Sequence, residues 1–314
     1  MKRVLIADKM HDSITALLRE AGFEADYRPA ITREEILSTI GNYKGLIIRS
    51  KTDVDKELID LGTSLEFVCR AGAGIDKVDY PYLTSKNIRL VNAPEGNRDA
   101  VGEHAIGMLL SLFHNINVAN AEVKSGKWDR EGNRGWELRK KTVGIFGYGF
   151  MGSSLARKLQ GFGCNIIAYD KYKAGYSTQY VEEVDLETFK KETEILSIHV
   201  PLTSETRELF DEDFLKDFEK LKVVLNTARG EVLKLSALIA LLEGKKLIGA
   251  GLDVLENEKL GKLSGQEQIN FDKLKTMDNV ILTPHVAGWT FESYERINKV
   301  LVRKLQEAGL AEVK

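Results

Sequence analysis

Residues 142–170 read TVGIFGYGFMGSSLARKLQGFGCNIIAYD. A short apolar run, TVGIF, meets Gly147, Gly149 and Gly152 in a GxGxxG; the helix-like SSLARKLQGFG follows, and a second apolar run, NIIAY, ends in Asp170. Strand, glycine turn, helix and strand in that order make a dinucleotide-binding βαβ unit. Gly147 permits the tight turn, Gly149 lets backbone approach a pyrophosphate, and Gly152 lets the helix pack close to the strand, with the helix N-terminus facing the anion. Asp170 lies 18 residues after Gly152, about where an acid accepts the adenosine ribose hydroxyls and repels a 2′-phosphate, so NAD is the expected cofactor. Lys171 and Lys173 would soften that discrimination. Flavin and S-adenosylmethionine sites use similar turns, so this stretch names the fold before the chemistry. A short-chain dehydrogenase is excluded by order: its TyrxxxLys pair follows the turn, whereas here Tyr82 with Lys86 precedes it and Tyr169 with Lys173 sits on the second strand.

Outward from this unit the alternation continues. Downstream come the strand-like EILSIHVPL, KVVLNTARG, LIGAGLDVL and VILTPHVAG; upstream come VLIAD, EADYR, GLIIRS, EFVCR and IRLVNAP, separated by helix-capable segments such as DSITALLREAG and TREEILSTIGN. Apolar strands joined by crossovers of that length form parallel sheets with both faces covered. A spanning helix is expected from Asp99 to about Lys124, an irregular polar excursion over 256–278, and an amphipathic terminal helix from Phe291 that packs back on the first lobe. The expected architecture is α/β with two doubly wound parallel-sheet lobes: a flavodoxin-like substrate lobe of residues 1–97 plus 287–314, and a Rossmann nucleotide lobe of 98–286, with crossings that suit a hinge closing on substrate.

Composition narrows the function classes. The chain has 314 residues, enough for two domains, with 45 Lys and Arg against 47 Asp and Glu for a net charge of −2. No single-sign block offers a nucleic-acid stripe or a membrane anchor. No apolar run is long enough to span a bilayer, and VLIA before Asp8 is too short for a signal peptide, so a cytoplasmic location is expected. Cys69 and Cys164 are the only cysteines; they lack redox or metal spacing and are expected as buried thiols. No metal spacing and no nucleophile elbow is present, which leaves metalloenzyme and hydrolase readings without support.

Three strand ends beyond the glycine turn each deliver a polar side chain: Arg229 in NTARG, Asp253 and Glu258 in GLDVLENE, and His285 in TPHVAG. Ligands of open parallel sheets bind beyond the carboxyl ends of strands, so these stretches should converge. A base for a hydroxyl proton and a cation for the substrate suffice for alcohol oxidation by hydride transfer. Of the other histidines, His11 is expected solvated, His104 and His114 at a surface or interface of the long helix, and His199 either in the core or near the cofactor.

These residues resemble the NAD-dependent dehydrogenases specific for D-2-hydroxy acids, among them the D-3-phosphoglycerate dehydrogenases, whose catalytic core the chain is most like. The likeness covers nearly the whole chain: RSKT at 49–52, RAGAGIDKVD at 70–79, NAPEGN at 92–97, GYGFMG, HVPLT at 199–203, NTARG, GAGLDV and TPHVAG. It implies a catalytic trio in which Arg229 holds the substrate carboxylate, His285 takes the hydroxyl proton, and Glu258, five positions after Asp253, fixes the His285 tautomer and favours its charged form. It further implies cofactor contacts from Phe150, Met151, Asp170, Val200, Thr227, Ala228, Arg229, Asp253, His285 and Gly288, and substrate contacts from Arg49, Ala71, Gly72 and Arg229, with Ala73 a further candidate. The implied partner is a small 2-hydroxy or 2-keto acid, and the implied assembly a homodimer built on the nucleotide lobes. Serine biosynthesis is the implied setting, without the C-terminal regulatory domain that some relatives carry. Glyoxylate or hydroxypyruvate reduction is the alternative within enzymes, and an NAD-sensing corepressor the alternative outside them. Two positions depart from the family pattern: Lys259, where proline is usual, and Trp289, where a small polar residue is usual.

Overall fold

The computed structural model describes residues 1–311. By its contacts the chain divides into two compact units, residues 1–98 with 289 onward, and residues 99–288. The first boundary falls one residue and the second two residues beyond the expected crossings.

The first unit is built on a five-stranded parallel sheet of β1 (Lys2–Ile6), β2 (Phe23–Tyr27), β3 (Gly45–Ile48), β4 (Phe67–Arg70) and β5 (Arg89–Asn92), in the order β2-β1-β3-β4-β5. That is the flavodoxin-like order. Alternate side chains of each strand face opposite sides, and both sides are filled. Val4, Ile6, Ile47, Phe67 and Val91 meet Ile14 and Leu18 of the first helix with Ile297, Leu301 and Leu305 of the terminal helix. Leu5, Leu46, Ile48 and Val68 meet Ile36, Ile40, Leu58 and Leu83 on the other side. The terminal helix, Phe291–Glu307, is tied to the first helix by the buried Asn298, whose amide donates to the His11 carbonyl and the Ser13 hydroxyl, each at 3.0 Å.

The second unit carries seven parallel strands: β6 (Thr142–Phe146), β7 (Asn165–Tyr169), β8 (Glu182–Glu183), β9 (Ile195–Ile198), β10 (Val223–Asn226), β11 (Gly249–Leu252) and β12 (Val280–Leu282). Their order, β12-β11-β10-β9-β6-β7-β8, reverses direction between β6 and β9. This is the Rossmann order with one added strand, and its ligand crevice lies at that switch point. One face packs Phe146, Leu196 and Val224 against Phe189, Phe210 and Leu238; the other packs Val143, Ile145 and Leu225 against Met108, Phe113 and Leu155. Cys69 is buried and Cys164 half-buried, both as free thiols, and burial pushes both upward in pKa.

Three elements differ from expectation. The long helix begins earlier, at Pro94, where proline suits a first helical position whose N–H has no intrahelical partner. It stops at Phe113, and a second helix runs Ile116–Lys124 after Asn115 turns left-handed at φ 50°. Asparagine is among the few residues that take this conformation at low cost. The polar stretch expected to be irregular contains a helix, Gly265–Leu274, started by a capping box between Ser264 and Glu267. The short β8 had no sequence signal. No helix among the described residues is long and apolar enough to cross a membrane.

Candidate active site

The glycine turn sits where the strand order reverses. Gly147 has φ 97°, and a Cβ there would lie 2.7 Å from the carbonyl oxygen of His199, which follows β9. A Cβ on Gly152 would lie 2.2 Å from the Gly147 carbonyl oxygen, so the helix Phe150–Leu159 needs glycine to seat against the turn. At Gly149, the residue preceding that helix, a Cβ would meet nothing within 4 Å. The open space at a helix N-terminus is what a pyrophosphate requires. Phe150 is exposed and Met151 half-buried on the first turn beside it. Nearby strand ends hold two buried polar atoms without protein partners among the described residues, Thr227 Oγ1 and His199 Nδ1. The residues present therefore fit a dinucleotide.

Asp170, the acid expected at a ribose, is bonded to backbone on both oxygens. Its Oδ2 accepts from the Tyr148 N–H inside the turn at 2.8 Å, and its Oδ1 from the Tyr172 and Lys173 N–H groups at 3.0 and 3.1 Å. A carboxylate offers about four lone-pair positions, so one stays open. A hollow of about 410 Å³ beside it is lined also by Glu183 and Asp185, an acidic wall for a 2′-phosphate. Of the lysines expected to soften this, Lys171 Nζ pairs with Glu205 at 2.7 Å, whereas Lys173 Nζ stays at the glycine turn, donating to the Tyr148 carbonyl at 3.1 Å.

His199 donates or accepts through Nε2 with Ser197 Oγ at 2.8 Å. Desolvation drops its pKa to about 4, so the ring is neutral at ordinary pH. Val200 follows, half-buried.

Beyond β10, Asn226 shapes the NTARG turn: its amide nitrogen donates to the Arg229 carbonyl at 2.9 Å and its Oδ1 accepts from the Ala228 N–H at 3.0 Å. Arg229 is half-buried, with Nη1 donating to the Ala228 carbonyl at 2.6 Å. The next residue brings two functional loops together. A Cβ on Gly230 would lie 1.9 Å from the Leu255 carbonyl oxygen, so the arginine turn rests directly on the backbone that leads to Glu258.

Within ENE the two glutamates divide. Glu256 turns inward and accepts from the Leu235 N–H at 2.8 Å; burial raises its pKa. Glu258 turns outward to His285, whose Nδ1 lies 2.8 and 3.1 Å from its two carboxylate oxygens. Asn257 holds the loop between them, its amide on Glu267 at 3.1 Å and its Oδ1 accepting from the Lys259 N–H at 3.0 Å. This turn and the capping box of the next helix take the place of the proline usual after the glutamate.

His285 itself has φ 53°. The left-handed conformation costs a residue with a Cβ about 1–2 kcal/mol, and strain of this kind persists only where surrounding bonds over-determine it. With Nδ1 turned to Glu258 and the ring nearly half exposed, Nε2 is the nitrogen left for chemistry. Asp253, expected as a cofactor contact, is buried with both carboxylate oxygens bonded within the protein. Gly288 closes this unit.

In the first unit Asp8, a residue without a sequence signal, organises RSKT. Buried at the end of β1, it accepts from the Arg49 N–H at 2.7 Å, the Lys51 N–H at 2.9 Å and the Thr52 hydroxyl at 2.6 Å. The Arg49 guanidinium lies 3.4 Å from the ring centre of Trp289 and 5.2 Å from that of Tyr294, and among the described residues it has no carboxylate within 4.0 Å. Trp289, the unusual residue of its motif, is thus a cation–π platform. Lys51 Nζ is committed to the carbonyls of Pro29 and Ile31, both at 2.9 Å. After β4, Ala71 is buried and Gly72 takes φ 135°, with the Asn92 amide donating to the Ala73 carbonyl at 2.8 Å. Among the described residues no cluster of three or more His, Cys, Asp or Glu could hold a metal.

Comparison with known proteins agrees with this geometry. Residues 106–287 match the family model described as "D-isomer specific 2-hydroxyacid dehydrogenase, NAD binding domain". The D-3-phosphoglycerate dehydrogenase of Archaeoglobus fulgidus is 32% identical over 308 residues, covering 96% of this chain and 56% of that protein. The hydroxypyruvate reductase of Thermotoga maritima is 33% identical over 309 residues, covering 98% and 99%. The crystal structure of a glyoxylate reductase from Paecilomyes thermophila shares the fold with a TM-score of 0.85 at 24% identity, covering 98% and 95%. The chain spans little more than half the length of the phosphoglycerate dehydrogenases it matches. With its second unit an NAD-binding domain, the chain belongs to the D-isomer specific 2-hydroxyacid dehydrogenase family.

Proposed function

We propose that the protein transfers a hydride between NAD and C2 of a D-2-hydroxy acid, with D-3-phosphoglycerate and 3-phosphohydroxypyruvate as the substrate pair, and so serves serine biosynthesis. The observation that carries the reaction is the hydrogen bond between Glu258 and His285 at 2.8 Å, in a loop that rests against the arginine turn. NAD supplies the hydride acceptor when bound. Glu258 accepts Nδ1–H, so in the neutral ring Nε2 of His285 is the nitrogen that takes the hydroxyl proton. Arg229 binds the carboxylate beside C2, where its planar fork matches two oxygens. In the reductive direction His285 returns that proton to the carbonyl oxygen. Cofactor contacts fall to Gly147, Gly149, Phe150, Met151, Gly152, Asp170, Val200, Thr227, Ala228, Arg229, Asp253, His285 and Gly288.

For the substrate, a phosphorylated acid needs a cation besides Arg229, and Arg49, 3.4 Å from the Trp289 ring centre and with no carboxylate within 4.0 Å among the described residues, has that character. Ala71 and Gly72 are the accompanying contacts. The curated relatives include hydroxypyruvate and glyoxylate reductases as well, so hydroxypyruvate and glyoxylate are the competing substrates. The test is NADH oxidation with 3-phosphohydroxypyruvate, hydroxypyruvate, glyoxylate and pyruvate, in the parent and in Arg49→Ala. The proposal expects the phosphorylated acid to be preferred, and the substitution to cost about 1.5–3 kcal/mol on it and little on glyoxylate. A parent that prefers glyoxylate or pyruvate retires the phosphoglycerate assignment. We also place the protein in the cytoplasm as a homodimer; exposed Ile116, Val123, Trp128 and Trp136 after the long helix support the latter.

A further inference from the structure

β11 and β12 are paired so that Leu252 faces Leu282, and the residues that follow, Asp253 and Thr283 to Ala287, leave the sheet side by side. Three of the hydrogen bonds that hold the loop presenting His285 end on one carboxylate. Asp253 Oδ1 accepts from the Thr283 hydroxyl at 2.6 Å and the Val286 N–H at 2.8 Å; Oδ2 accepts from the Ala287 N–H at 2.8 Å. Its own carbonyl takes the His285 N–H at 2.8 Å. These bonds bracket the left-handed His285 on both sides.

A second histidine enters from outside the loop. His104, on the helix Pro94–Phe113, places Nε2 at 3.0 Å from the Thr283 oxygen and 3.6 Å from Asp253 Oδ1. Thr283 has one hydroxyl proton, and the 2.6 Å bond gives it to Asp253, so the Thr283 oxygen must accept. His104 Nε2 therefore carries a proton, which fixes its tautomer. Hydrogen bonds in series polarise one another, so the His104 donor strengthens the Thr283 bond to Asp253.

We propose that His104, Thr283 and Asp253 form a positioning relay that fixes the backbone of the His285 loop, so that a histidine on the long helix sets the aim of the proton-transferring ring without touching substrate. The inference rests on the reading of His285 as the proton carrier. Asp253 on this account acts through the loop, its oxygens already bonded within the protein.

The test uses the full chain with His104→Phe, His104→Gln, Thr283→Val and Thr283→Ser. For each we would measure kcat and KM with NADH and the keto acid the parent reduces best, NADH affinity by fluorescence, melting temperature, and the His285 ring signals by NMR, assigned with His285→Asn. His104→Phe and Thr283→Val should lower kcat about tenfold or more, the scale of a modest misplacement, with NADH affinity within about twofold of the parent. A glutamine amide or a serine hydroxyl can replace the lost bond, so His104→Gln and Thr283→Ser should recover most of kcat. The His285 signals should shift in the first pair and return in the second. Because those signals need no turnover, they test the relay even if no keto acid is reduced, which would count against the proposed reaction alone. Unmoved His285 signals and parental kcat in both His104→Phe and Thr283→Val would overturn the relay. So would a parental kcat at saturating NADH, with the whole effect confined to NADH affinity and KM. If either bulky variant fails to fold, the other carries the comparison.

Discussion

Replacing Glu258 with glutamine keeps the shape of the side chain and removes the charge that faces His285. In the parent, Nδ1 lies 2.8 and 3.1 Å from two equivalent oxygens, so the N–H finds an acceptor in either orientation. In Glu258→Gln one of those atoms becomes an NH2 donor, and only one amide orientation keeps the bond. A hydrogen bond to a charged group contributes about 1.5–3 kcal/mol. Here the two side chains are 45% and 48% exposed, so solvent screening reduces the expected loss to about 1–2 kcal/mol. That corresponds to a fall in kcat/KM of roughly 5- to 30-fold, read from initial rates of NADH oxidation. Glu256→Gln is the internal control. It alters the same loop two residues away, but its partner is the Leu235 N–H, which an amide oxygen can still accept, and kcat/KM should stay within about twofold. Parental kcat/KM in Glu258→Gln, or equal damage from both substitutions, would refute the division of labour between the two glutamates.

His199 makes stability depend on pH. Its folded pKa of about 4 lies below the ordinary 6.5, so the unfolded chain binds a proton in that window and the folded state loses stability as pH falls through it, by at most about 3 kcal/mol at 1.36 kcal/mol per unit. In urea unfolding, His199→Gln should lose less stability than the parent between pH 7 and 4.5; parallel losses would contradict this. Asp170→Ala should lower the ratio of kcat/KM for NAD to that for NADP by about tenfold or more, since like-charge repulsion of a 2′-phosphate is removed. It should also lower the melting temperature, because three backbone N–H groups lose their acceptor. An unchanged ratio would remove Asp170 from cofactor choice.

The fold was legible because its signals are local. TVGIF, the three glycines and NIIAY lie within 29 residues, and buried parallel strands announce themselves as apolar runs. Glu258 and His285 were legible as motif members, and their contact follows from two neighbouring strand ends. What stayed hidden depends on partners far apart in the chain. Asp8 is an ordinary acid after a strand until the fold brings it to RSKT, 41 residues away. His104 on its helix gives no sign of Thr283, 179 residues on. Trp289 was visible as an oddity, but its reason, the Arg49 guanidinium, lies in another stretch of sequence. The helix Gly265–Leu274 was missed because it buries only Asn270 and Leu274 and so carries almost no apolar period; its capping box was the readable sign.

The central claim is that His285 moves the proton while NADH reduces a 2-keto acid at C2. The most direct measurement follows both products in one reaction: NADH consumed by absorbance and the 2-hydroxy acid formed by chiral chromatography, for the parent and His285→Asn. The account predicts the D-isomer in one-to-one ratio with NADH, and a rate on the order of 10² to 10⁴ lower in His285→Asn, with NADH affinity retained. Formation of the L-isomer, or a parental rate in His285→Asn, would contradict it.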